Sequence, residues 1–211
     1  MTADGVRWKR RPDERPRELL EAALNVFAER GYSATRLEEV ASAAGVSKGA
    51  IYHYFEGKED LLRKAIESRI ESIMADLGAE LEGETGPVSA KLRLVLREVW
   101  KHWVKPEWGR VFQLLIGEVG TQLPALFEAW ARGGPIRGWS LIEQLIDEGK
   151  VAGEFRPDVD SKVAGRLITS GLAWQAVVHI HMDLQRLDPC EPDRIFDSSV
   201  EIFMEGLKQR G

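Results

Sequence analysis

The sequence predicts an all-α protein, with a small helix-turn-helix head at its N-terminal end and a larger helical body behind it, about nine helices in all. Three observations predict this. Apolar residues recur at three- and four-residue intervals in segment after segment. No stretch of useful length alternates with period two, so no sheet is expected. Two short amphipathic segments, "TRLEEVASAAG" and "SKGAIYHYF", follow each other across a glycine at helix-turn-helix spacing.

Taken in order, residues 1–15 ("MTADGVRWKRRPDER") are rich in charge and turn formers, and are expected to be a flexible basic arm. Leu20, Ala23, Leu24 and Phe27 then share one helical face, and Gly31 follows as a left-handed stop. Thr35 and Glu38 have the S/T-x-x-E spacing of a capping box, ahead of the apolar face Leu37, Val40, Ala41 and Ala44. Gly45 supplies a tight turn, and Ser47 caps a short helix ending near Phe55. A longer helix starts near Lys58 and uses Leu61, Leu62, Ala65, Ile66, Ile70, Ile73 and Leu77. The domain division expected is 1–15 arm, 16–62 head and 63–211 body.

Beyond Pro87 helix follows helix. Leu92, Val95, Leu96, Val99 and Trp103 mark one, and Phe112, Leu115, Ile116 and Val119 the next. A piece over residues 124–130 and a helix through Trp139, Ile142, Leu145 and Ile146 are read separately. The segment from Ser161 to Leu187 is apolar nearly all round, so it needs cover from more than one direction. A second subunit supplies that cover in this reading. The last helix, after Pro192, carries Phe196, Val200, Phe203 and Leu207 on one stripe, with Ile195 and Ile202 beside it. The last two helices are therefore expected to form a four-helix bundle with their symmetry mates, through Ile195, Phe196, Val200, Phe203 and Leu207.

Charge narrows the choice of partner. The net charge is −5, which alone argues against a nucleic-acid binder. Its distribution argues the other way: residues 1–65 carry 12 Lys and Arg against 11 Asp and Glu, and Arg7, Lys9, Arg10, Arg11, Arg15 and Arg17 face only Asp13 and Glu14 over residues 7–17. A single cysteine, Cys190, excludes an internal disulfide, and no stretch is apolar for long enough to span a bilayer. The protein is expected in a reducing cytoplasm, with no membrane partner.

The stretch "GVSKGAIYHYFEGKEDL" carries the chemistry. In a helix-turn-helix the second helix enters the major groove, and nearby helix N-termini grip phosphates. Ser47, Lys48, Gly49 and Ala50 at that helix's start are small or cationic, which lets backbone approach a duplex. Tyr52 and His53 can reach phosphate or base edges, while Ile51 and Phe55 at i and i+4 pack inward. Lys58 adds a charge beside free backbone N–H groups.

The ordered series T-x-x-x-x-V-A-x-x-A-G-V-S-K-G-x-I-Y-x-Y-F-x-x-K-x-x-L, Thr35 to Leu61, lies within "ELLEAALNVFAERGYSATRLEEVASAAGVSKGAIYHYFEGKEDLL" and resembles the TetR family of bacterial transcriptional regulators. It covers about a quarter of the chain. The resemblance implies a three-helix DNA-binding head on a body that binds an effector and dimerises. Carried over by position, it assigns Thr35 and Lys58 to phosphate, Ser47, Lys48, Gly49, Ala50, Tyr52 and His53 to the recognition surface, and Arg36 to the groove. His53 departs from the Tyr or Phe acceptable at its place, and Glu56 puts an acid beside the expected DNA. The function expected is a homodimeric repressor on a palindromic double-stranded operator, released by a small apolar or aromatic molecule. The alternative is a DNA-bound adaptor that acts through a protein partner.

The body resembles that family only loosely, chiefly in "GEFRPDVD". Of seven tryptophans, five lie in the middle helices (Trp100, Trp103, Trp108, Trp130, Trp139) and Trp174 lies on the penultimate one. Indoles are large and carry one donor each, which suits both a core and an apolar ligand pocket. Trp100, Trp103, Phe112, Trp139, Trp174 and His179 are the candidates to line one. His179 and His181 sit at i and i+2 of a helix, pointing roughly 200° apart, so no metal site is expected. The sequence holds no nucleophile elbow, phosphate loop, metalloprotease helix or paired-cysteine motif. Neither an enzyme nor a cofactor is expected.

Overall fold

Nine helical rods account for almost all of residues 15–209, the residues described by the computed structural model. The basic arm expected over residues 1–15 lies outside them apart from Arg15, where α1 begins. The head is α1 (Arg15–Arg30), α2 (Leu37–Ala43), α3 (Lys48–Tyr54) and the start of α4 (Lys58–Gly83). Because α4 runs unbroken through residues 62 and 63, head and body share one rod.

The body continues with α5 (Val88–Trp103) and then α6, which passes from Pro106–Leu114 through a π turn at Leu115–Val119 into Gly120–Gln122. The next two segments, read separately in the sequence, are one rod. In α7, Pro124–Ala131 runs through a π turn at Arg132–Ile136 into Arg137–Val151. Pro135, which lacks an N–H, lies within the π turn; the wider turn accommodates it and the helix continues. α8 (Ser161–Trp174, then a π turn Gln175–His181) stops short of the expected Leu187, at Asp183 with a left-handed φ of 58°. α9 spans Pro192–Leu207.

Two apolar clusters organise the molecule. The first joins α1–α4 to α6 and includes Phe27, Ile51, Phe55, Leu61, Leu115 and Val119. The second holds the rest of the body around Leu96, Trp100, Ile142, Ile146, Leu172 and Phe196. Trp103 packs against both. The head therefore has no private core, because α6 contributes its inner face to it.

Glu154, in the loop between α7 and α8, caps a helix far away in sequence. Its two carboxylate oxygens accept the N–H groups of Val88 (2.8 Å) and Ser89 (2.9 Å) at the open N-terminus of α5. Burial pushes this carboxyl up, but the hydrogen bonds from Ser89 and Val88 outweigh it, so its pKa lies below the ordinary value. A depressed carboxyl stabilises the fold above its unfolded pKa and ceases to as pH falls through the folded one. Glu154→Ala is expected to cost about 1 kcal/mol in urea titrations at neutral pH, as loss of a cap does. The difference from wild type should shrink as the titration is repeated down through the carboxylate range.

Candidate nucleic-acid interface

The local geometry of α2 and α3 follows from a few residues. Only half of the expected capping box forms, one residue later than the spacing predicts: Arg36 is the N-cap and Glu39 accepts its backbone N–H at 3.0 Å, while the Glu39 N–H goes to the Arg36 backbone carbonyl at 3.1 Å because a guanidinium cannot accept. The Thr35 hydroxyl is turned inward instead, donating to the Gly31 carbonyl at 2.7 Å. Leu37, Val40 and Ala41 bury the inner face of α2. Gly45 takes φ +64°, the left-handed value that stops α2, and the Ser47 hydroxyl accepts the Ala50 N–H at 3.2 Å to start α3. Ile51 and Phe55 are buried and pin α3 to the core.

That anchoring turns the opposite face of α3 outward. Ser47, Lys48, Gly49, Tyr52 and His53 are exposed, as is Arg36, and Ala50 is half-buried. Tyr52 is 54% exposed. Around Gly49 an added Cβ would meet nothing closer than the Ser47 hydroxyl at 3.9 Å, so nothing inside the protein demands a glycine there. Lys48 is paired with Glu38 of α2 and lies over the Tyr52 ring at 5.7 Å. The hydrogen bond between Lys48 and Glu38 holds the ammonium above and the carboxyl below their ordinary values, so both stay charged. Tyr54, equally exposed and edge-on to His53 at 5.0 Å, extends the same surface and was given no role in the sequence reading.

Thr35 and Lys58 do not present their polar ends outward. Thr35 is 2% exposed. The Lys58 ammonium donates to the carbonyls of Tyr32 (2.8 Å), Thr35 (3.1 Å) and Ser33 (3.3 Å), which uses its three protons. In this structure both residues hold the turn between α1 and α2.

The aromatic candidates of the body separate. Trp103 is edge-on to Phe112 at 6.2 Å, and Phe112 lies 5.7 Å from Trp108. Trp100 sits in the second cluster, 1% exposed and against Phe196. Trp139 donates to the Thr169 hydroxyl at 2.9 Å. Trp174 is 66% exposed, and the side chain of His179 lies outside the described residues. His181, weighed in the sequence together with His179, packs against α5 and α6. Its Nε2 donates to the Trp103 carbonyl at 2.6 Å and its ring rests directly on Gly109, where any Cβ would clash. Next to this group, the buried Trp108 Nε1 and His102 Nδ1 have no partner among the described residues. Burial, with Lys105 and Arg69 nearby, lowers the His102 pKa. Two clefts lie elsewhere: a polar one of about 340 Å³ between α1, α4 and α6, lined by Arg17, Glu21, Arg69 and Glu107, and an open groove of about 730 Å³ along α7.

The expected dimer residues divide as well. Phe196, Val200 and Leu207 are buried in their own protomer, while Ile195 and Phe203 are half-buried against the same core. One apolar stripe on a terminal helix can serve its own core or a partner's, and α9 spends this one on α5 and α8. The exposed apolar residues of the same two helices are Val163, Leu167 and Trp174 on α8 and Ile202 on α9.

Comparison with known proteins places this geometry. The family profile described as bacterial regulatory proteins, tetR family, matches residues 19–65. Transcriptional regulator AcuR of Cereibacter sphaeroides is 30% identical over 177 residues, covering 81% of this chain and 78% of AcuR. The HTH-type transcriptional repressor KstR2 of Mycolicibacterium smegmatis is 27% identical over 172 residues, 79% of each chain. Among solved structures, FadR from Bacillus subtilis in complex with stearoyl-CoA superposes with a TM-score of 0.75 at 22% identity, covering 90% of this chain and 98% of FadR.

Proposed function

Because the chain belongs to the tetR family of bacterial regulatory proteins and is a transcriptional regulator, we propose that it is a cytoplasmic repressor, binding a palindromic operator as a homodimer and released by a small apolar or aromatic effector. The observation that carries the DNA-binding part is the outer face of α3. Lys48, Gly49, Tyr52 and His53 stand exposed on a helix whose other side is pinned by Ile51 and Phe55. Arg36, Ser47, Ala50 and Tyr54 complete the contact surface, which omits Thr35 and Lys58. Small residues at the helix start admit the phosphate backbone, and the aromatic and cationic groups beyond them reach the groove.

Dimerisation is supported by Val163, Leu167 and Trp174, exposed apolar residues at helical spacing along one face of α8, because an exposed apolar face marks an interaction surface. A two-fold dimer mirrors its symmetry in its site, with half-sites about 34–36 Å apart. Selection of random duplexes by the full-length protein, followed by footprinting, tests this; the expected product is a two-fold symmetric sequence. Selection of no symmetric site would overturn the reading.

The effector is assigned to the region between α5, α6 and the end of α8, around Trp103, Trp108 and Phe112. An apolar wall with a few unmatched polar groups is what a ligand site needs, and Trp108 and His102 supply them. The alternative reading is an adaptor that stays on DNA and acts through a protein partner without a small-molecule ligand. Tryptophan fluorescence during titration with aromatic and fatty compounds separates the two. A saturable change that also releases the operator supports the effector, and its absence across the series supports the adaptor.

A further inference from the structure

The turn between α1 and α2 is gripped from two sides. Inside the head, Lys58 takes the carbonyls of Tyr32, Ser33 and Thr35 and lies over the Tyr32 ring at 4.4 Å. From the body, Glu118 Oε2 accepts the Ser33 backbone N–H at 2.9 Å, and the Ser33 hydroxyl donates to Gln122 Oε1 at 3.1 Å. Carbonyls facing a cation and an amide facing a carboxylate orient the turn through charge-assisted bonds at both ends.

Position 31 leaves no slack. Gly31 has φ +83°, and a Cβ there would stand 3.0 Å from Glu118 Oε1. Glu118 itself is delivered by the π turn Leu115–Val119, an irregularity that helices often place at functional sites. Leu115 and Val119, at either end of that turn, are fully buried in the cluster shared with the head. The carboxylate's reach is therefore set by packing. Apolar contact between α1 and α6 is non-directional and permits sliding, whereas these hydrogen bonds fix direction.

We infer that Glu118 is a positioning residue for DNA recognition: by holding the α1–α2 turn to α6 it fixes the tilt of the head on the body, and so sets which half-site spacing the dimer accepts. The inference rests on the dimeric DNA-binding reading above. Adding one base pair to a spacer moves a half-site by about 3.4 Å and about a tenth of a turn. A rigidly clasped head cannot follow such a change, and a loosened one can.

The test measures affinity for the selected operator and for versions with one base pair added to or removed from the spacer. Wild type is expected to lose about tenfold or more on either change, the size of a base-pair mismatch penalty. E118A should discriminate among the three by less than about threefold, with an unchanged salt slope because no phosphate contact is lost. E118Q, whose amide oxygen can still accept the Ser33 N–H, should recover most of the discrimination. Thermal unfolding and sedimentation confirm that each variant is folded and dimeric. If E118A is too unstable, Glu118→Leu, which keeps the aliphatic bulk, carries the same expectation. A folded, dimeric E118A or E118L with the wild-type spacing profile overturns this inference alone. A wild-type protein that selects no symmetric site overturns the proposed function and this inference with it.

Discussion

Replacing Tyr52 with alanine is expected to weaken operator binding by about ten- to a hundredfold while leaving the fold intact, the loss that accompanies a good contact to DNA, about 1 to 3 kcal/mol. The ring stands more than half exposed, so its truncation leaves no cavity, and α3 remains held by Ile51 and Phe55. Lys48→Ala tests the same face by a different quantity. A lysine that neutralises one phosphate contributes to affinity for every sequence, so its removal should lower binding to all duplexes alike and flatten the salt slope by about one. Lys48 is already paired with Glu38, and that exposed pair is a weak competitor for a phosphate. Gel shifts of both variants at several salt concentrations decide the matter. Unchanged affinity in both would remove α3 from the interface.

Much of this face was legible in the sequence because its signals are local. The turn at Gly45, the Ser47 cap and the i, i+4 pair Ile51 and Phe55 all act within a few residues, and each stands where the spacing put it. Apart from the cap of α2, displaced by one residue, what the sequence did not show involved partners distant in the chain. Glu118 is 85 residues from Ser33, and Glu154 is 66 from Val88. No periodicity marks a carboxylate that reaches across the fold to a backbone N–H. Lys58 looked like an exposed charge at a helix start, yet the turn beside it offers three carbonyls within reach. The tryptophans misled for a related reason. An indole's bulk says that it packs, but not against which neighbour, so Trp100 and Trp174 ended at opposite extremes of burial.

If the chain pairs as proposed, Leu167→Asp is expected to leave it monomeric and, through that, to remove most of the operator affinity. In the protomer Leu167 is 70% exposed, between Val163 and Trp174 along α8. The isolated fold therefore loses little when it is replaced. In a two-fold interface the same residue appears twice on one self-complementary patch. A carboxylate at the centre of an apolar contact is desolvated, and an uncompensated buried charge costs about 3–5 kcal/mol. Two heads joined through their bodies gain affinity because the second binds at high effective concentration, and a monomer forfeits that gain. Phe196→Asp is the contrasting variant. Phe196 packs on Trp100 with ring centroids 5.8 Å apart and carries the Arg97 guanidinium over its face at 3.9 Å, so this change should unfold the protomer itself. Sedimentation at micromolar concentration, read alongside circular dichroism, distinguishes a folded monomer from an unfolded chain. If Leu167→Asp sediments as a dimer and binds the operator as wild type does, the subunits do not meet on the exposed face of α8, and the stripe of Val163, Leu167 and Trp174 needs another occupant.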